Sequence, residues 1–122
     1  MLLDSNAIIY SVKPEFDTLR QLIAEQNPAV SAISYVEVLG YHKLTASDKE
    51  DFIEFFGIAL IISVSQPVLE QAVALRQQRR MSLGDSIIAA TALLNDLTLV
   101  TANVTDFHWI DNIKLMNPLT EL

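Results

Sequence analysis

Short runs of apolar residues alternate along this chain with longer stretches in which apolar positions recur every three or four residues. Met1–Asp4 is the first run and reads as a short strand. In Thr18–Gln26, Leu19, Leu22 and Ile23 fall at helical spacing, and Asn27-Pro28 stops that helix. Ala29–Ile33 reads as a second strand. Ser34–Leu44 follows as a helix that ends near Gly40 or soon after. Ser47–Phe56 is another, with Phe52, Phe55 and Phe56 on its apolar face and Gly57 at its end. Leu60–Val64, apolar except for Ser63, is a third strand. Gln66–Arg80 is a helix carrying Pro67 in its first turn, where the missing N–H costs nothing. Leu83–Leu94 is apolar nearly all round, which predicts a buried helix. Leu97–Thr101 and Ile113–Met116 complete the set as fourth and fifth strands.

Strands that alternate with helices predict an α/β fold: a five-stranded parallel sheet flanked by helices on both faces. Right-handed crossovers constrain its winding. No repeat, low-complexity tract or linker interrupts residues 1–122, which read as one domain. In open parallel sheets, ligands bind beyond the carboxyl ends of the strands, where strand order reverses. Asp4 ends the first strand, and Asn103 and Asp106 follow the fourth. If those two strands are neighbours, these groups share the crevice.

Composition narrows the picture. The hydrophobic fraction of 51% is ample for a core. The longest apolar region, Phe52–Val64, is interrupted by Glu54 and Gly57, and a spanning helix needs about 20 apolar residues. No membrane segment is therefore expected. Met1-Leu2-Leu3-Asp4 has neither a basic n-region nor a signal-peptide layout. Zero cysteines exclude disulfides and thiolate metal sites and fit a cytoplasmic location. A net charge of −7 argues against a nonspecific nucleic-acid coat, since such proteins are usually basic. The objection is partial, because acids that hold a metal have their charge cancelled locally.

Four acids sit in four separate signatures: Asp4 in Leu3-Asp4-Ser5-Asn6, Glu37 in Ser34-Tyr35-Val36-Glu37, Asp85 in Gly84-Asp85-Ser86-Ile87, and Asp106 in Thr101-Ala102-Asn103-Val104-Thr105-Asp106-Phe107. Each has a bland reading. Asp4-Ser5-Asn6 is a good helix start. Ser34-x-x-Glu37 matches a capping box, with Ser34 as the cap. Ser82-x-x-Asp85 reads the same way, with Asp85 a favourable first-turn anion. Asp106 is a cap for Phe107–Ile110. Against these stands their shared location at the ligand-binding end of the sheet. Asp85 also opens a mostly apolar helix, and an uncompensated buried carboxylate is expensive. No Lys or Arg occurs between Met81 and Asn112. Taken together, the four acids predict an oxygen-only site for a hard divalent cation and metal-assisted phosphodiester hydrolysis.

On these residues the chain resembles the PIN-domain ribonucleases, and more closely the VapC-type toxins of bacterial toxin–antitoxin pairs. The resemblance covers nearly the whole chain and rests on Leu3–Tyr10, Ser31–Glu37, Leu83–Ala92 and Leu99–Phe107 in that order. It implies a single PIN-like domain with a five-stranded parallel sheet. It implies that Asp4, Glu37, Asp85 and Asp106 form a catalytic acidic quartet, with Asp4, Asp85 and Asp106 holding Mg²⁺ or Mn²⁺. Ser5, Asn6, Thr101 and Asn103 stand as supporting polar residues. The implied activity is endoribonuclease cleavage of RNA by metal-activated water, leaving 5′-phosphate and 3′-hydroxyl ends. The implied partners are an RNA substrate, a small cognate antitoxin and a second copy of the chain in a homodimer. One departure is Ala102, where many members carry Arg or Lys.

Arg76, Arg79 and Arg80 follow i, i+3, i+4 spacing, which predicts one shared helix face. That face either complements the helix C-terminus or contacts RNA phosphate. His42 and His108 read as surface or packing residues, because the rest of the site is oxygen-based. Trp109, Tyr10, Phe16 and Tyr35 are aromatic enough to stack on bases and are read first as packing residues. The alternative function is a non-catalytic PIN-like protein-binding module, whose sequence sign is loss of an acid; all four are present. A phosphoacceptor domain is rejected, since Asp4 stands alone and the third strand ends in Ser63-Val64-Ser65.

Overall fold

The computed structural model describes residues 1–120; Glu121 and Leu122, which the single-domain expectation includes, lie outside the described residues. Five short strands, β1 (Leu2–Leu3), β2 (Ala29–Ser31), β3 (Leu60–Ile62), β4 (Thr98–Val100) and β5 (Lys114–Met116), form one sheet in the order β3-β2-β1-β4-β5. Every pairing is parallel. The chain winds outward from β1 to β3, then crosses to the other side of β1 for β4 and β5. Strand order therefore reverses between β1 and β4, which pair directly, so the condition for Asp4 and the residues after β4 to face one crevice is met.

Strand period two splits the core into two layers. Leu2, Ala29 and Leu99 point to one face, against α5 (Gln66–Gln78), α6 (Leu83–Leu94) and α7 (Val104–Phe107). Leu3, Val30 and Val100 point to the other, against α1 (Ser5–Ser11), α3 (Ala32–Leu39) and α4 (Ala46–Ile58), with α2 (Asp17–Gln26) contributing Ile23. Helix α6 buries every residue from Ser86 to Ala92, as its nearly continuous apolar run predicts. Among the described residues, no helix is long and apolar enough to cross a membrane.

Most boundaries follow from local chemistry. Asn27 ends α2 in the left-handed region (φ 45°), a conformation Asn tolerates better than most residues. Ser65 caps α5 and Ser82 caps α6 through their hydroxyls. Four expectations need correction. Helix α3 begins at Ala32 with Ser31 as its N-cap, so Ser34 lies inside it and Ser34-x-x-Glu37 is not a capping box. Helix α4 runs through Gly57 to Ile58. Burial of Phe52 and Phe56 on its core face outweighs the roughly 1 kcal/mol that an interior glycine costs. Asp106 lies within α7 rather than capping a segment after it. Strand β3 ends at Ile62 rather than Val64, and it lies at the sheet edge with Leu60 65% exposed.

Candidate active site

The four acids come from separate elements and lie within electrostatic reach of one another in pairs, around Asp4 at the end of β1 and Asp85 at the start of α6. Asp4 leaves β1 and caps α1, its Oδ1 accepting the Ala7 N–H at 2.7 Å. The capping reading is thus correct for Asp4, and it fixes the carboxylate in a site where only 4% of the residue is exposed. Thr101, fully buried after β4, gives Asp4 a side-chain hydrogen bond. The same Thr101 Oγ1 accepts the Asn103 N–H at 3.0 Å, so one hydroxyl ties the loop after β4 to the acid after β1.

Glu37 stands in the last turn of α3 and is reached from α1. Ser5 Oγ lies 2.7 Å from Glu37 Oε1 and 3.0 Å from Ser34 Oγ. A hydroxyl carries one proton; with Ser5 giving it to the carboxylate, Ser34 supplies the proton of the other contact. Ser34, fully buried, is thereby part of the site, a role the capping-box pattern concealed. The far side of the Glu37 carboxylate packs over Gly84. A Cβ on Gly84 would meet Glu37 Oε2 and stand 2.9 Å from Cδ. Gly84 therefore belongs to the site through the volume it leaves empty.

Asp85 follows in the first turn of α6 and is half-buried; its backbone N–H goes to Ser82 Oγ at 3.1 Å. Asp106 is exposed in α7, and its carbonyl accepts the Trp109 Nε1–H at 2.9 Å. Asn103 is exposed as the N-cap of α7, without a side-chain capping bond. Asn6 is exposed in the first turn of α1, with no side-chain hydrogen bond among the described residues.

The acids feel one another. Burial pushes the Asp4 carboxyl above its ordinary value. Hydrogen bonds from Thr101 and Ala7 oppose that, and the charges of Asp85 and Glu37 add to it. Burial likewise pushes Asp85 up, opposed by its hydrogen bonding with Ser82 and reinforced by Asp106 and Glu37. For Asp4 and Asp85 alike, desolvation is the largest cause and repulsion from neighbouring acids a smaller one.

The donor set is oxygen-only and anionic, which suits Mg²⁺ or Mn²⁺. Among the described residues, no three acids or histidines approach closely enough to enclose an ion by themselves. Asp4, Asp85 and Asp106 suit a hard cation by the chemistry of their carboxylates, and Asp85 is electrostatically coupled to each of the other two.

The arginines do not share a face. Helix α5 ends at Gln78, and Arg79 is extended (φ −160°, ψ 149°). Arg76 stays on the helix, where its Nε donates to the Met81 carbonyl at 3.3 Å, a contact at the chain's exit from α5. Arg79 and Arg80 instead line a polar cleft of about 320 Å³ with Ser82, Asp85, Thr105, Asp106 and Trp109. His42 and His108 are exposed and outside this cleft, as expected.

A PIN domain family model matches residues 1–111. A chain of a toxin–antitoxin complex from Klebsiella pneumoniae is 32% identical, superposes with a TM-score of 0.76, and shares coverage of 96% of both chains. A chain of VapBC2 from Rickettsia felis, bound to a DNA fragment from their promoter, is 24% identical, with a TM-score of 0.81 over 95% of this chain and 96% of that one. A chain of VapBC-1 from nontypeable Haemophilus influenzae is 21% identical, with a TM-score of 0.78 over 98% of each. At their lower identity, the last two speak to the fold alone. No curated protein matches the chain significantly.

Proposed function

The chain belongs to the PIN-domain family, and from that premise we propose that it is the toxin of a toxin–antitoxin pair, an endoribonuclease dependent on Mg²⁺ or Mn²⁺. One observation carries the reading. Asp4 is buried at the β1–β4 switch point, raised by desolvation and by two neighbouring acids. Among the described residues, no Lys or Arg forms an ion pair with it, since the ion pairs there are Arg20–Asp17 and Lys114–Asp96. An isolated buried carboxylate is costly, and a bound cation offsets that cost.

In this reading Asp4, Asp85 and Asp106 hold the metal. When bound, the ion supplies Lewis acidity, stabilising charge on the phosphodiester and making water more acidic. The chain supplies position and proton handling. Ala7 N–H and Thr101 fix the Asp4 carboxylate. Ser5 commits Glu37 Oε1, which leaves Oε2, beside Gly84, to accept the proton of an attacking water. A non-catalytic module has no use for this arrangement of mutually repelling acids.

Partner binding is supported by exposed apolar surface, which usually marks an interface. Leu69, Val73 and Leu83 line an open groove of about 660 Å³ between α5 and α6, and Ile58, Leu60 and Ile61 are exposed at the β3 edge. A small antitoxin and a second copy of the chain are the proposed occupants. The relative from Klebsiella pneumoniae, itself part of a toxin–antitoxin complex, supports the first. The test of the activity is incubation of the purified chain with total RNA in Mg²⁺, Mn²⁺ or EDTA, followed by mapping of the cut ends. Cleavage with either metal and none in EDTA is expected; no cleavage in either metal contradicts the proposal.

A further inference from the structure

The cleft beside the acids has a basic wall. Of the four arginines in the chain, Arg20 is paired with Asp17, and Arg76 spends its Nε on a backbone carbonyl. Arg79 and Arg80 have no ion pair among the described residues, although Asp85 and Asp106 line the same cleft. Their guanidinium donors are thus available to an anion.

Arg79 is also the better positioned of the two. Its guanidinium carbon lies 5.5 Å from the centre of the Trp109 ring, a cation–π contact. Such a contact restrains the side chain yet leaves N–H donors at the guanidinium edge free for forked bonds to phosphate oxygens. Both ends of the pair are anchored. The Arg79 N–H goes back to the Leu75 carbonyl at 3.3 Å and closes α5. The Trp109 Nε1–H donates to the Asp106 carbonyl, so the platform and that acid belong to one turn. A chain with net charge −7 repels RNA overall and needs cations where the strand enters.

We propose that Arg79, held over Trp109, together with Arg80, forms the subsite that grips a backbone phosphate of single-stranded RNA on the Asp85–Asp106 side of the cleft. The inference rests on the nuclease reading above and adds to it where the substrate backbone lies. Arg79 is a substrate-binding residue here and Trp109 its positioning residue.

Trp109 is the only tryptophan in the chain, so its emission reports on this subsite directly. The full chain is titrated in Mg²⁺ with a single-stranded oligoribonucleotide carrying cleavage-resistant phosphorothioate linkages. Trp109 emission is followed together with the anisotropy of a dye on the RNA. We expect a saturable change in Trp109 emission that parallels binding. Arg79→Ala should weaken binding by about tenfold to a hundredfold, the scale of a charged hydrogen-bonded contact. It should also flatten the logarithmic salt dependence by about 0.7, the loss of one single-strand phosphate contact. Arg79→Lys should recover the salt slope but only part of the affinity, because the fork is lost. RNA binding without any change in Trp109 emission, at an affinity unaltered in Arg79→Ala, overturns the subsite and leaves the nuclease reading standing. Failure of the wild-type chain both to bind and to cleave RNA overturns both. An emission change with an oligoglutamate peptide and none with RNA assigns the cleft to a protein partner and overturns the proposal.

Discussion

The Glu37 carboxylate occupies the space that a side chain on Gly84 would fill, so an acid from α3 is seated directly against the first turn of α6. Backbone strain plays no part, since the chain has no glycine at positive φ. The glycine is needed for its missing Cβ alone.

This makes Gly84→Ala informative. The obstructed group is the far end of a flexible, exposed side chain, which can swing away. Alanine in a compatible helical position stabilises by about 0.4–1 kcal/mol. Gly84→Ala should therefore melt at or above the wild-type temperature. RNA cleavage should fall by roughly a hundredfold, the scale of an approximately 1 Å misplacement of a catalytic group. Calorimetry and a cleavage assay on the same sample check both halves. A destabilised but active variant contradicts the assigned role.

Thr101 is expected to support Asp4 through its hydroxyl. Thr101→Val keeps the volume but strands two partners, the Asp4 carboxylate and the Asn103 N–H. Leaving buried groups unsatisfied costs about 1–3 kcal/mol. Thr101→Val should lose about that much stability in denaturant melts and lose activity. Thr101→Ser, which keeps the donor and acceptor, should recover most of both.

The metal-free chain should lose stability as pH rises. Asp4 and Asp85 both have folded-state pKa values raised above the unfolded value of 3.8, first by burial. The folded state then binds more protons than the unfolded one, so their favourable contribution is complete below that value. It is lost as pH climbs through the raised folded-state values. Asp85→Asn removes one of these charges but keeps the backbone capping bond to Ser82. It should raise the melting temperature in EDTA near neutral pH and flatten the pH dependence. Melting below wild type in EDTA would make Asp85 a helix-start residue and remove it from the metal site.

Metal should reverse that penalty. Binding to the folded state alone stabilises by about 2.7 kcal/mol at a hundred times the dissociation constant. Excess Mn²⁺ should raise the wild-type melting temperature, and Asp85→Asn should respond much less. Equal responses from the two chains would place the ion elsewhere.

Much of the frame was legible in the sequence because local signals agreed with tertiary ones. Pro67 and Ser82 mark helix starts that packing retains, and the apolar run of α6 became the buried helix it predicted. Asp4 was legible as a candidate because it sits at a strand-to-helix junction, and Asp85 because it opens an apolar helix. Glu37, by contrast, lies in the last turn of α3 and Asp106 within α7. Local patterns failed where they imitated something else. Ser34-x-x-Glu37 has capping-box spacing, yet Ser31 caps the helix, and Ser34 and Glu37 are joined through Ser5 instead. Arg76, Arg79 and Arg80 have helical spacing, but the helix ends before Arg79. Helix α1 is seven residues long and carries too little periodicity to be read apart from the acidic signature that caps it. The contacts Arg79–Trp109 and Glu37–Gly84 join residues far apart in sequence, and no local pattern encodes them.

The most direct test of the account compares RNA cleavage by the wild-type chain with that by Asp4→Asn. Asparagine caps helices about as well as aspartate and can still accept the Ala7 N–H, so the fold should survive while the charge that holds a hard cation is lost. The account predicts cleavage by the wild type in Mg²⁺ or Mn²⁺, with 5′-phosphate ends, abolished by EDTA. It predicts cleavage at background level by a folded Asp4→Asn chain under every condition. Cleavage by Asp4→Asn at the wild-type rate, or wild-type cleavage indifferent to EDTA, would contradict it.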